Sequence, residues 1–286
     1  MNARSDFLWS VRRELWEHRS AYLAPMAIAL LALTGFVLHL GQWAEAMRTV
    51  PVLPPAKQVA VIVMPFGLMS SVILVTGWIV GVFYALDALY AERRDRSMLF
   101  WKSMPVSDLT TVLAKAAVPL VVIPGVATAI ALVAQLVLLA GGATMLAARG
   151  IESPLGTVTW VQTWIAMVYG VAVHSLWFAP AYGWLLLVSA WTRRSPFLWA
   201  FLPIFAAWAV ERITFGTSYV GNLVRDRVGG AMTVAFRDDA MREPITQLAQ
   251  LDPLRFLSTP GLWIGLVFAA VFLAAAVRLR RSRDPE

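Results

Sequence analysis

The sequence predicts an all-α polytopic membrane protein: six transmembrane helices, an amphipathic interfacial helix ahead of them, a cytoplasmic helical element between the second and third, and an external segment before the sixth. Three observations predict it. Apolar residues make up 59% of the chain and charged ones 14%, and the mean hydropathy is +0.68, more apolar surface than a water-soluble domain can hide. The apolar residues gather in six segments, about 21–41, 59–90, 110–141, 158–191, 197–213 and 260–279, most of them reaching the roughly 20 residues that cross a hydrocarbon core. Arg and Lys concentrate in alternate connections, the signature of cytoplasmic loops. Together the segments make one transmembrane domain over residues 1–286.

Ahead of the first span, Phe7, Leu8, Trp9, Val11, Leu15 and Trp16 cover about half of a helical wheel. Asp6, Arg13, Glu14 and Glu17 lie mostly opposite, and Arg12 and Arg19 must snorkel. The pattern predicts a helix in the interface, its tryptophan rings among lipid headgroups. The run at 21–41 lacks a small-residue cleavage pattern, so an uncleaved span is expected and no signal peptide. The second, third and fourth segments are long enough to imply tilt, a break, or extension beyond the bilayer. Pro65, Pro119, Pro124, Pro180 and Pro203 mark expected kinks. Gly77 and Gly81 form a small-x-x-x-small pattern that suits a helix contact, within or between subunits.

Basic residues set the orientation. Arg4, Arg12, Arg13 and Arg19, then Arg93, Arg94, Arg96 and Lys102, then Arg193 and Arg194, then Arg278, Arg280, Arg281 and Arg283 all fall on one side. Both termini are therefore expected in the cytoplasm. The same distribution accounts for the net charge of +7 without a nucleic-acid partner. The external segment 214–259 mixes Arg225, Asp226, Arg227, Arg237, Asp238, Asp239, Arg242 and Glu243, whose signs nearly cancel, and is expected to form a small cap.

Site chemistry is sparse. There is no cysteine, and no G-x-x-x-x-G-K-[ST] loop to cradle phosphate. His18, His39 and His174 sit on different segments without an H-E-x-x-H pairing, and Ser175 beside His174 has no G-x-S-x-G context. No catalytic, metal or cofactor site is expected in this chain. Ionisable groups at membrane depth cost roughly 2.5–3.5 kcal/mol each, so the few present carry information. Asp87 and Lys115 are expected to pair across the hairpin between spans two and three. Gln135, His174 and Trp177 either line a pathway or pack between helices. No Asp or Glu lies at mid-membrane, which argues against a proton-driven carrier.

The stretch "YAERRDRSMLFWKSMPVSDLTTVLAK", residues 90–115, sets a bulky face of Met98, Leu99, Phe100, Trp101 and Met104 beside Arg93, Arg94 and Arg96. Pro105 ends the run, and Ser107 or Asp108 is placed to cap the next helix. Aromatic, Met and Arg side chains are the types enriched where proteins dock. With "ERRDRSMLFWKSMPVS" followed by "LAK", the stretch resembles the first cytoplasmic loop of type-2 ATP-binding-cassette (ABC) exporter permeases. The order of elements along the rest of the chain resembles that family too, although Arg96 and Ser97 stand where relatives commonly carry glycine and threonine. The resemblance implies a coupling helix that docks on a separate cytosolic ATPase, with Glu92, Arg93, Phe100, Trp101, Pro105 and Lys115 as coupling positions. Arg94 and Met98 join them on the residue reading above. It further implies a homodimer or paired permease in a bacterial inner membrane, with ATP and Mg²⁺ held by the partner. Trp78, Trp177, Trp184, Trp199 and Trp208 among the spans suit an apolar or amphipathic cargo such as a lipid, drug or peptide. The other readings open at this stage are a scaffold that recruits a cytosolic partner and moves nothing, and a secondary transporter.

Overall fold

The computed structural model describes residues 3–95, 107–237 and 244–282. Helices run in the order α1 (Ala3–Glu17), α2 (Ser20–Met47), α3 (Pro55–Asp87), α4 (Tyr90–Arg94), α5 (Asp108–Ala117), α6 (Ile123–Ala148), α7 (Trp160–Trp191), α8 (Pro196–Phe215), α9 (Tyr219–Ala235), α10 (Pro253–Ser258) and α11 (Pro260–Ser282). Among the described residues the extended pairing is an isolated antiparallel bridge, Phe236 with Leu251. Six helical stretches are long and apolar enough to cross a membrane: Ser20–Met47, Lys57–Arg94, Asp108–Ala148, Trp160–Trp191, Pro196–Phe215 and Pro260–Ser282. Over the described residues the chain is an all-helical integral membrane protein, its spans carrying most of their backbone hydrogen bonds within their own helices, as hydrocarbon requires.

The third span shows why an overlong apolar run stays helical. α5 and α6 are continuous through a π-helical turn at Val118–Val122. Pro119 lies in that turn and Pro124 just after it, and neither ring nitrogen can donate to the carbonyl one turn back. Widening the turn absorbs both missing donors without breaking the helix. Ser107 starts this span by accepting from the Thr110 backbone N–H at 3.1 Å, which leaves the neighbouring Asp108 carboxylate free for other work.

Three core layers follow one another along the bundle. Ala44, Met47, Val50, Ile62 and Leu146 close one end. Phe66, Met69, Ile73, Ala131 and Leu138 fill the middle. Tyr84, Leu89, Val112, Leu186 and Ala276 make the layer where α1, α4 and α5 gather. α7 and α11 pack closely because Gly183 admits the backbone of Ala269, only 3.3 Å from where a Cβ would stand.

Two parts add to the sequence expectation. α1 is amphipathic, yet its polar side faces the protein: Glu14 is 1% exposed while Trp9 and Trp16 are more than half exposed. In a lipid setting that orientation is sensible, since the apolar arc meets hydrocarbon and the charges meet other charges. Within the segment expected to form a cap, the described residues 214–237 and 244–259 carry helices α9 and α10. Gly216, with a positive φ of 65°, turns the chain after α8. Glu211 then accepts from the backbone N–H groups of Tyr219 and Val220 to start α9. α9 leans back on α7, where the Trp177 indole donates to the Arg227 carbonyl at 2.8 Å and the Arg227 guanidinium lies 4.7 Å over the Trp177 ring.

Candidate functional site

The most concentrated chemistry is an ionic junction where α1, the end of α3, α4, the start of α5 and the end of α11 meet. Lys115, on α5, is 2% exposed and sits 2.9 Å from Glu14 Oε1 of α1 and 3.2 Å from Glu92 Oε1 of α4. Glu92 also accepts from Arg280 of α11, whose Nε reaches Asp108 Oδ1 at 2.9 Å. Arg13 adds contacts to Glu14 at 2.8 Å and to Glu92 at 3.5 Å, and the Tyr84 hydroxyl donates to Glu14 Oε2 at 2.7 Å.

The charges balance. Glu14 and Glu92 are matched inside by Lys115 and Arg280, while Arg13 and Asp108, about a fifth to a quarter exposed, close the rim. A balanced, hydrogen-bonded set avoids most of the penalty of burying lone charges, though it gains little over apolar packing; what it does fix is which helices meet and in what register. Burial pushes the Glu14 carboxyl up, but the charge of Lys115, hydrogen bonds from Lys115 and Tyr84, and the charge of Arg13 outweigh it and hold it at about 2, against an ordinary 4.5. Such a depressed group lends stability that is complete above about pH 4.5 and drains away as pH falls toward 2. Thermal unfolding of Glu14→Gln should therefore lose the part of the wild-type acid sensitivity that falls between those two values.

Beside the junction, α4 is fastened to the end of α7. The fully buried Ser189 hydroxyl accepts from the backbone N–H groups of Leu89 (3.0 Å) and Tyr90 (2.9 Å), capping α4 from another helix. The Arg93 guanidinium donates to the carbonyls of Ser189 (2.6 Å) and Thr192 (2.7 Å), the last of α7. Both ends of the 96–106 stretch thus rest on buried polar contacts.

The sequence-predicted residues fall into three groups. Met98, Phe100, Trp101 and Pro105 lie outside the described residues. Glu92, Arg93 and Lys115 come together in and beside the junction, with their side chains turned inward, while Arg94 points out and pairs with Asp95 at 2.9 Å. The expected Asp87–Lys115 pair does not form. The chain turns at Ala88 and Leu89 before α4, which carries Glu92 onto the Lys115 side and leaves Asp87 on the opposite side, in a cavity with His18 and Tyr90. Elsewhere, Gly77 rests against Ile123 and Ala127, and Gly81 against Pro119 and the Tyr182 ring, all within this chain. Gln135, 3% exposed, donates to Ser70 Oγ at 2.6 Å and accepts from the Trp164 indole at 2.7 Å. His174 is stacked between Trp78 (3.8 Å) and Phe178 (4.4 Å). Gln135 and His174 are both held in interhelical packing.

Sequence reasoning missed Glu14, Tyr84 and Arg280. Glu14 and Arg280 were visible only as a solvated face and a topology signal; the available clue was that an acid beside lipid-facing tryptophans must look for a cation. Glu14, Glu17 and His18 also bring ligand-type atoms within 4.8 Å of one another, but Glu14 is already taken up by Lys115, Arg13 and Tyr84, so the trio belongs to the junction. No protein-family model, curated protein or solved structure matches the chain.

Proposed function

We propose that the chain is the membrane-spanning permease subunit of an ABC exporter, acting as a homodimer or with a second permease in a bacterial inner membrane, with both termini cytoplasmic. A separate cytosolic subunit binds and hydrolyses ATP with Mg²⁺, and the cargo is an apolar or amphipathic molecule such as a lipid, drug or peptide. The observation that carries this reading is the junction itself: Glu92 on one side of the 96–106 stretch and Asp108 and Lys115 on the other are tied to α1 and α11 through buried ion pairs. A push on that stretch has a stiff path into the interfacial helix α1 and into the third and last spans. Met98, Phe100, Trp101 and Pro105 supply the docking face, Arg94 adds an outward charge, and Glu92, Arg93 and Lys115 hold its base. A scaffold needs a docking face but has no use for such a path.

The test is co-purification with a co-expressed ABC-type ATPase, the partner this reading requires. Phe100→Ala with Trp101→Ala is expected to reduce the recovered complex at least about thirtyfold, the scale of losing one interface hot spot of 2 kcal/mol or more. An unchanged yield of complex removes the docking role of the stretch. ATP-independent vesicle transport that follows a proton gradient would instead favour a secondary carrier.

A further inference from the structure

We infer that the cavity between the α1–α2 link, α3 and α8 is a binding site for the protonated amine of a cationic amphiphile, with Asp87 as its counter-ion. The cavity has a volume of about 560 Å³, within the size range of small-molecule pockets. Its lining is of two kinds: Val80, Phe83 and Phe197 are apolar, while Asp87, Tyr90 and His18 bring polar groups. Val80 and Asp87 are seven residues apart on one helix, so the apolar lining runs about 10 Å beside the carboxylate, room for a short alkyl chain or a small ring system.

Charge decides what the polar groups accept. Among the described residues no side chain forms an ion pair or hydrogen bond with Asp87, and four basic groups on the neighbouring elements are engaged by other partners. Lys115 is held by Glu14 and Glu92. Arg93 is held by the last carbonyls of α7. Arg94 feels the field of Asp87 but is paired with Asp95 at 2.9 Å. His18 is turned to Glu14 at 3.8 Å and meets the Tyr84 ring edge-on at 4.8 Å, so it serves as wall. A half-buried carboxylate left over beside an aromatic lining selects a cation with an apolar body; an anionic or neutral amphiphile of the same shape gains nothing from it. The Tyr90 ring already carries the Arg94 guanidinium, 5.7 Å over its face, so the aromatic lining left to a ligand is Phe83 and Phe197.

The site concerns binding by this chain alone and does not depend on the transport reading. The test uses the full-length protein in phosphatidylcholine nanodiscs, with radiolabelled dodecylamine as probe, dodecanol as the neutral control and empty discs for partitioning. Wild-type protein should bind dodecylamine saturably and dodecanol no better than empty discs do. Asp87→Asn should weaken dodecylamine binding by about tenfold or more, the scale of one charge-assisted hydrogen bond, and Asp87→Glu should restore most of it. Ser20→Trp, at the exposed start of α2 on the cavity rim, should block binding without touching the carboxylate or the core. A second arm adds phosphatidylethanolamine to the discs. If the lipid headgroup is the occupant, that lipid displaces the probe from wild type; if it leaves binding unchanged, the amine comes from a soluble amphiphile. Equal binding by wild type, Asp87→Asn and Ser20→Trp, or equal binding of dodecanol and dodecylamine, overturns the assignment.

Discussion

Lys115→Met should destabilise the protein by about 3–5 kcal/mol, the cost of removing one partner from a buried ion pair. The methionine fills nearly the same volume, so the loss comes from charge. Without the ammonium, Glu14 and Glu92 face each other with only Arg13 and Arg280 to share, and the buried set carries an uncompensated negative charge. The cycle with Glu14→Gln separates charge from shape. The double variant is neutral again, so it should recover more than half of what Lys115→Met loses, a coupling at the upper end of the usual 0.5–3 kcal/mol for neighbouring residues. Thermal unfolding followed by tryptophan fluorescence reads all four corners. Strictly additive losses would show that Lys115 and Glu14 do not act as a pair.

The second large effect falls on Glu92, which takes contacts from Lys115, Arg13 and Arg280 at once. Glu92→Gln keeps the shape of the side chain and removes the charge that gathers three cations from three helices. On the permease reading, the docking face is untouched, so the complex with the ATPase should still form. The path from that face into α1 and α11 is cut, so ATP-driven transport in vesicles should fall by at least about tenfold while ATP hydrolysis continues, a barrier change of roughly 1.4 kcal/mol or more. Transport at the wild-type rate in a variant that still binds the ATPase would mean that force does not travel through Glu92.

The six spans were legible because their signal is additive: a run of twenty apolar residues outweighs any single mistake, and the expected boundaries differ from the helices mainly at the ends. The prolines of the third span were legible as a disturbance, though whether they kink or widen the helix depends on its neighbours. The junction was legible only in part. Lys115 was marked as costly at depth and given Asp87, the nearest acid across the hairpin, whereas its partners come from about a hundred residues upstream and about twenty upstream. Periodicity tells which residues share a face and nothing about which distant element covers it. For α1 the helix and its lipid-facing tryptophans were legible, but the burial of Glu14 was not, since the pattern does not say that the charged face packs on the bundle rather than on headgroups and water.

Arg280 carries a consequence for biosynthesis. Every other member of the junction, from Arg13 to Lys115, leaves the ribosome well before it. Until the final span is threaded, Glu92 and Asp108 lack the cation that bridges them, so an unfinished chain holds three acids against two cations in an apolar setting. Closure of the bundle is thereby timed to the arrival of its last helix, and a nascent chain stalled before that point exposes a defect that membrane proteases and insertases are built to notice.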